Sequence, residues 1–90
     1  MFCVVSYDIQ DDKKRTRVSK TLLDFGTRVQ YSVFECIMDN EALETLTARL
    51  RNMISEEDSI RIYTLCGKCE KAIGLLGTGK VTKDEDVYIL

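Results

Sequence analysis

Residues 27–38 read Thr-Arg-Val-Gln-Tyr-Ser-Val-Phe-Glu-Cys-Ile-Met, and the way this stretch divides decides the fold. It is rich in β-branched and aromatic residues, the composition of strands. Twelve residues nevertheless exceed the usual strand length of about 5–6. The reading that fits best is a short strand around Arg28 to Gln30, a tight turn at Tyr31 and Ser32, and a second strand from Val33 to Met38. That predicts a hairpin, although no glycine or asparagine marks the turn.

Working outward, residues 2–7 (FCVVSY) form an earlier apolar, β-favouring run. Alternation puts Phe2, Val4, Ser6 and Asp8 on one side and Cys3, Val5 and Tyr7 on the other. Both sides are mainly apolar, so this strand is expected to be covered on both faces. Between the two β stretches, Asp11 or Asp12 can cap a helix running to about Phe25, with Gly26 as its stop. Val18, Leu22 and Phe25 make its apolar stripe, while Lys13, Arg17 and Lys20 cluster within about 60° on the opposite side.

Beyond the hairpin, Asp39 or Asn40 opens a second helix with Leu43, Leu46, Leu50, Met53 and Ile54 along one face. Residues 59–66 alternate, Ile60 and Ile62 against Arg61 and Tyr63, as a fourth strand does. The order β-α-β-β-α-β is the split, ferredoxin-like plan of an α+β protein, with both helices on one face of the sheet. The bare face needs an apolar cover, and an identical subunit on a two-fold axis is the common solution. Residues 1–66 make this core. Residues 67–90 are an extension, within a single domain, in which Ala72–Leu76 and Val87–Leu90 read as short strands that could extend a sheet edge, the partner's included.

With 90 residues, 44% of them hydrophobic, and no proline, the chain suits one small folded domain and neither a linker nor a disordered tract. The apolar start ends at Ser6, Tyr7 and Asp8, short of a signal-peptide core, and no run reaches the roughly 20 residues that span a bilayer. A soluble cytoplasmic chain is expected. The net charge of −2 conceals an asymmetry. Residues 13–28 carry Lys13, Lys14, Arg15, Arg17, Lys20 and Arg28 against Asp24 alone, whereas residues 39–58 are acidic. Positive charge gathered on one surface can bind nucleic acid whatever the total charge.

Three groups of residues could carry chemistry. Asp8 ends a buried strand, where a carboxylate needs a metal, a cation or hydrogen bonds, unless it is a loop residue or a neighbour of the helix cap. If a dimer axis passes nearby, two copies of Asp8 would repel unless a divalent cation lay between them. Magnesium suits such a site because it takes few carboxylates and keeps several waters. Cys66-Gly67-Lys68-Cys69 is a C-x-x-C pair read as lying in a turn between strands. It is two ligands short of a structural zinc site and has no histidine to help. Cys3 and Cys36 read as small core hydrophobes. The run Gly74-Leu75-Leu76-Gly77-Thr78-Gly79-Lys80 only superficially resembles a phosphate loop, since no helix is expected after it.

Tyr7-Asp8-Ile9, the Arg15-Thr16-Arg17 triplet, Gly26, the segment Arg28 to Glu35 (RVQYSVFE) and residues 60–65 (IRIYTL) together resemble the small core CRISPR adaptation subunit, the CRISPR-associated protein numbered second in its series. The similarity covers essentially the whole chain in order and spacing. It implies a homodimer whose C-terminal strand completes the partner's sheet, and a magnesium-dependent endonuclease centred on Asp8. It also implies that Tyr7, Arg15, Arg17, Arg28 and Phe34 take part in cleaving or binding nucleic acid. The partner implied is the larger CRISPR integrase subunit, with the small dimer bridging integrase dimers around duplex DNA. Lys13, Lys14, Arg17 and Lys20 would then follow a phosphate backbone without reading its sequence. A non-catalytic scaffold and a free-standing toxin-like ribonuclease remain the alternatives.

Overall fold

The computed structural model describes residues 1–82. Its elements are β1 (Phe2–Asp8), α1 (Asp12–Leu23), β2 (Thr27–Gln30), β3 (Val33–Ile37), α2 (Asn40–Arg51), β4 (Ser59–Leu65) and a single-turn α3 (Gly67–Lys71). The four strands form one antiparallel sheet in the order β2-β3-β1-β4. This is the ferredoxin-like arrangement of an α+β protein, with β1 central and β2 and β4 at the edges.

Alternation along β1 sets the layers. Cys3, Val5 and Tyr7 lie in one buried cluster with Phe34 and Cys36 of β3, Val18 and Leu22 of α1, and Leu46 and Leu50 of α2. Both helices therefore cover the same face. Each is fixed at its start by an aspartate whose carboxylate accepts a backbone N–H: Asp11 from Lys14 at 2.8 Å, and Asp39 from Ala42 at 2.8 Å. These caps satisfy amides that have no partner within the helix.

The turn at Tyr31 and Ser32 is present, and the hairpin is irregular: Arg28 pairs with Phe34 but Gln30 with Val33, a bulge between them. Gly26 follows the end of α1, as expected of the helix stop. Its backbone is not in the left-handed region. A Cβ there would collide with the Glu35 carbonyl oxygen and lie 2.5 Å from Cys36 Sγ. Glycine is needed because α1 hands over to β2 directly against β3.

Two expectations for the extension are corrected. Residues 67–71 form α3 rather than a turn between strands, so the C-x-x-C pair opens a helical turn. Residues 72–76 do not form a strand. α3 follows β4 after one residue, and Gly77 and Gly79 both adopt positive φ soon afterwards. Instead the segment returns to its own sheet. Residues 73–81 and β2 line a groove between them, and the Thr82 backbone N–H donates to Glu35 Oε1 at 3.2 Å. The expected strand at Val87–Leu90 lies outside the described residues.

Candidate active site and nucleic-acid surface

One end of the sheet gathers the termination of β1, the β2–β3 turn, the start of β4 and the start of α1. Asp8 closes β1 opposite Ser59 of β4 and is exposed. It shares the helix-free face with Phe2, Val4 and Ser6, and across β4 with Arg61, the partner of Ser6, and Tyr63, the partner of Val4. Among the described residues no side chain pairs with the Asp8 carboxylate. Neither do three His, Cys, Asp or Glu side chains stand close enough together there to hold a metal ion. One protomer thus offers a single free hard-oxygen donor, which suits magnesium in kind but not in number.

Adjacent residues of a strand face opposite ways, and this divides the expected site. Tyr7 turns into the core with 5% of its surface exposed, and Phe34 is fully buried. Their rings stand 6.3 Å apart, and the Tyr7 hydroxyl donates to the Tyr31 carbonyl at 3.4 Å. The Arg28 guanidinium lies over the Phe34 ring at 5.3 Å and bonds the Ser19 hydroxyl. Tyr7, Phe34 and Arg28 therefore form a packing chain from β1 through β3 and β2 to α1, on the face away from Asp8. In this conformation Tyr7 and Phe34 are buried in the core, on the opposite side of the sheet from Asp8.

Arg15 has a different part. Its guanidinium donates to the carbonyls of Ile9 at 2.9 Å and Gln10 at 3.3 Å and pairs with Asp12. It thereby ties down the loop that leaves Asp8.

The basic residues of α1 also separate. Lys13, Arg17 and Lys20 are exposed, and a shallow depression is lined by Asp12, Lys13, Thr16 and Arg17. Lys14, expected with them, is committed elsewhere. Its Nζ lies 2.7 Å from Asp58 Oδ2 and 2.9 Å from Ser55 Oγ, joining the start of α1 to the α2–β4 loop. Asp58 also accepts the Ser55 N–H at 2.8 Å. Lys14, then Ser55, hold the Asp58 carboxyl below the usual carboxylate range, and Asp58 in turn raises Lys14. Arg61 was not among the residues expected at the site. The alternation of β4 put it opposite Ile60 and Ile62, but only the β1–β4 register places it on the face of Asp8.

Residues 1–73 match the family described as CRISPR associated protein Cas2. This chain belongs to that family. It is 44% identical, over the whole chain and 98% of the relative, to CRISPR-associated endoribonuclease Cas2 3 of Chloroflexus aurantiacus. It is 39% identical to CRISPR-associated endonuclease Cas2 2 of Thermus thermophilus, over 96% of this chain and 92% of the relative. Among solved structures it is similar to a chain of a partial Cas6-RT-Cas1–Cas2 complex, with 30% identity and a TM-score of 0.75 over 83% of this chain and 89% of that one. The resemblance seen in Tyr7-Asp8-Ile9 and residues 28–35 is thus a family membership. Among the described residues no helix is long and apolar enough to cross a membrane.

Proposed function

We propose that this chain is the small homodimeric subunit of a CRISPR spacer-acquisition complex and a magnesium-dependent endonuclease of RNA or DNA centred on Asp8. The observation that carries the reading is the placement of Asp8: a free, exposed carboxylate at the rim of the sheet face opposite α1 and α2. A second copy meeting that face across a two-fold axis would bring a second Asp8. Two carboxylates plus water match what magnesium accepts. Bound there, the ion would activate water and neutralise charge on the scissile phosphate. The chain has no histidine, so an imidazole base is unavailable. The protein's own contribution is to orient: β1 and β4 fix Asp8, Arg15 holds the following loop, and Arg61 offers a cation on the same face. The names of the relatives, an endoribonuclease and an endonuclease, support nuclease activity.

The test is Asp8→Asn in purified protein, assayed on labelled single-stranded RNA and duplex DNA with magnesium and with a chelator. The expected result is a loss of magnesium-dependent cleavage of about a hundredfold or more, the weight of several kcal/mol of charge stabilisation. An unchanged urea-unfolding midpoint would show that the variant is folded. Cleavage that persists in the variant refutes the assignment.

A second reading, a scaffold that bridges integrase subunits and duplex DNA, is favoured by the exposed row Lys13, Arg17 and Lys20. Under it, the Asp8→Asn protein still supports spacer insertion with the larger integrase subunit.

A further inference from the structure

The C-x-x-C pair has no part in the site around Asp8. Cys66 and Cys69 are both free and exposed, whereas Cys3 and Cys36 are buried opposite one another on β1 and β3. Cys66 caps α3 with an extended backbone (φ −71°, ψ 167°), and its carbonyl accepts the Glu70 N–H at 2.9 Å. Cys69 lies three residues on, in the same turn. Side chains so spaced on a helix stand about 5–6 Å apart at Cβ. A disulfide needs about 3.5–4.5 Å, a gap that rotation at the non-helical cap can close without refolding the sheet.

The surroundings distinguish the two thiols. The Cys69 backbone N–H, the Cys69 thiol and the Lys68 N–H hold the Cys66 thiol below its usual range, while Cys66 raises Cys69. An exposed thiol of lowered pKa beside a second thiol is the arrangement of an attacking and a resolving cysteine. Burial pushes Cys36 up to about 11, which leaves it inert. Directly after the pair, residues 73–82 return to β2 and Glu35.

We propose that Cys66 and Cys69 form a reversible dithiol–disulfide site that exchanges with low-molecular-weight disulfides, at the junction between β4 and the C-terminal segment. Cys66 thiolate attacks one sulfur of the small disulfide, forming a mixed disulfide and expelling one small thiolate. Cys69, giving up its proton, then attacks Cys66 Sγ, forming the Cys66–Cys69 bond and releasing the second small thiol. The proton that Cys66 gave up on ionising ends on the expelled small thiolate, so the protein dithiol loses two electrons and two protons and one small disulfide becomes two thiols. This site is independent of the nuclease reading.

The test equilibrates the full chain with oxidised and reduced glutathione, quenches with acid, alkylates free thiols after unfolding and digests with trypsin. Cleavage after Lys68 leaves residues 62–68 and 69–71 joined only if the disulfide has formed. The expected result is one joined species from a single chain, with Cys3 and Cys36 fully alkylated. In the native protein Cys66 is expected to react with an alkylating agent at least about ten times faster than Cys3 or Cys36. Cys69→Ser should stop at a Cys66–glutathione adduct. Recovery of the two peptides separately from the parent protein, or a link between two chains instead of within one, overturns the proposal.

Discussion

Replacing Gly26 by alanine tests how α1 is fastened to the sheet. The new Cβ would collide with the Glu35 carbonyl oxygen, and would sit 2.5 Å from Cys36 Sγ and 2.9 Å from Cys36 Cα. Two of these three atoms are backbone of β3, and Cys36 is fully buried, so no neighbour can step aside easily. Overpacking of this kind costs about 1–3 kcal/mol and occasionally more. Because backbone must move, about 3 kcal/mol is expected, roughly a 150-fold change in the ratio of folded to unfolded chains. At about 4–8 °C per kcal/mol for a domain of this size, Tm falls by about 12–24 °C. Circular dichroism during thermal and urea unfolding measures it, at one fixed protomer concentration because self-association would move the midpoint. Gly67→Ala is the control: nothing lies within 4 Å of its added Cβ, and a change within about 0.5 kcal/mol is expected. If Gly26 served as a left-handed cap, alanine would cost only about 1 kcal/mol and asparagine would be tolerated better. A fall in Tm of less than about 5 °C for Gly26→Ala, or a milder effect from Gly26→Asn, refutes a close approach of β3 as the reason for glycine.

Asp58→Asn should remove a stabilisation that depends on pH. The folded-state pKa of Asp58 is depressed by Lys14 below an unfolded value of about 3.9. Its contribution is therefore complete above that value and lost as pH falls through the folded one. The variant's urea midpoint should lie below the parent's at neutral pH, and the gap should close in strong acid; a gap constant with pH argues against the ion pair. Changing Lys13, Arg17 and Lys20 together to alanine should weaken duplex binding in fluorescence anisotropy and reduce the log–log salt slope by about 0.9 for each phosphate no longer neutralised. An unchanged slope would mean that none of the three meets the duplex backbone. Lys14→Met should do the opposite, lowering stability while leaving that slope alone.

Much of this arrangement follows from local pattern. The division of residues 27–38 at Tyr31 and Ser32 needed only strand length and composition. The cap at Asp39 and the stripe through Leu46 and Leu50 needed only helical spacing. Even the separation of Asp8 from Tyr7 was implicit in the alternation of β1, since neighbours on a strand cannot serve one surface. The resemblance names both as family positions, and a matched motif carries no direction. Other features depend on residues distant in sequence. Lys14 meets Asp58 across 44 positions, and no periodicity joins the α1 cap to the α2–β4 loop. The pressure on Gly26 comes from Glu35 and Cys36, visible only once α1 and β3 are side by side. α3 escapes a reading by pattern because a five-residue turn is too short to show an apolar stripe and cysteine is not among the usual capping residues.

The first helix is clamped at both ends, by the lysine–aspartate bridge where it begins and by the bare glycine wedged under the third strand where it finishes. Rolling or tilting this cylinder would break one anchor or the other. Its axis is thereby set relative to the sheet, while the three cations at the tips of long, exposed side chains keep their own rotational freedom. If a polyanion binds there, the direction of the row is given in advance and the reach of each charge is not.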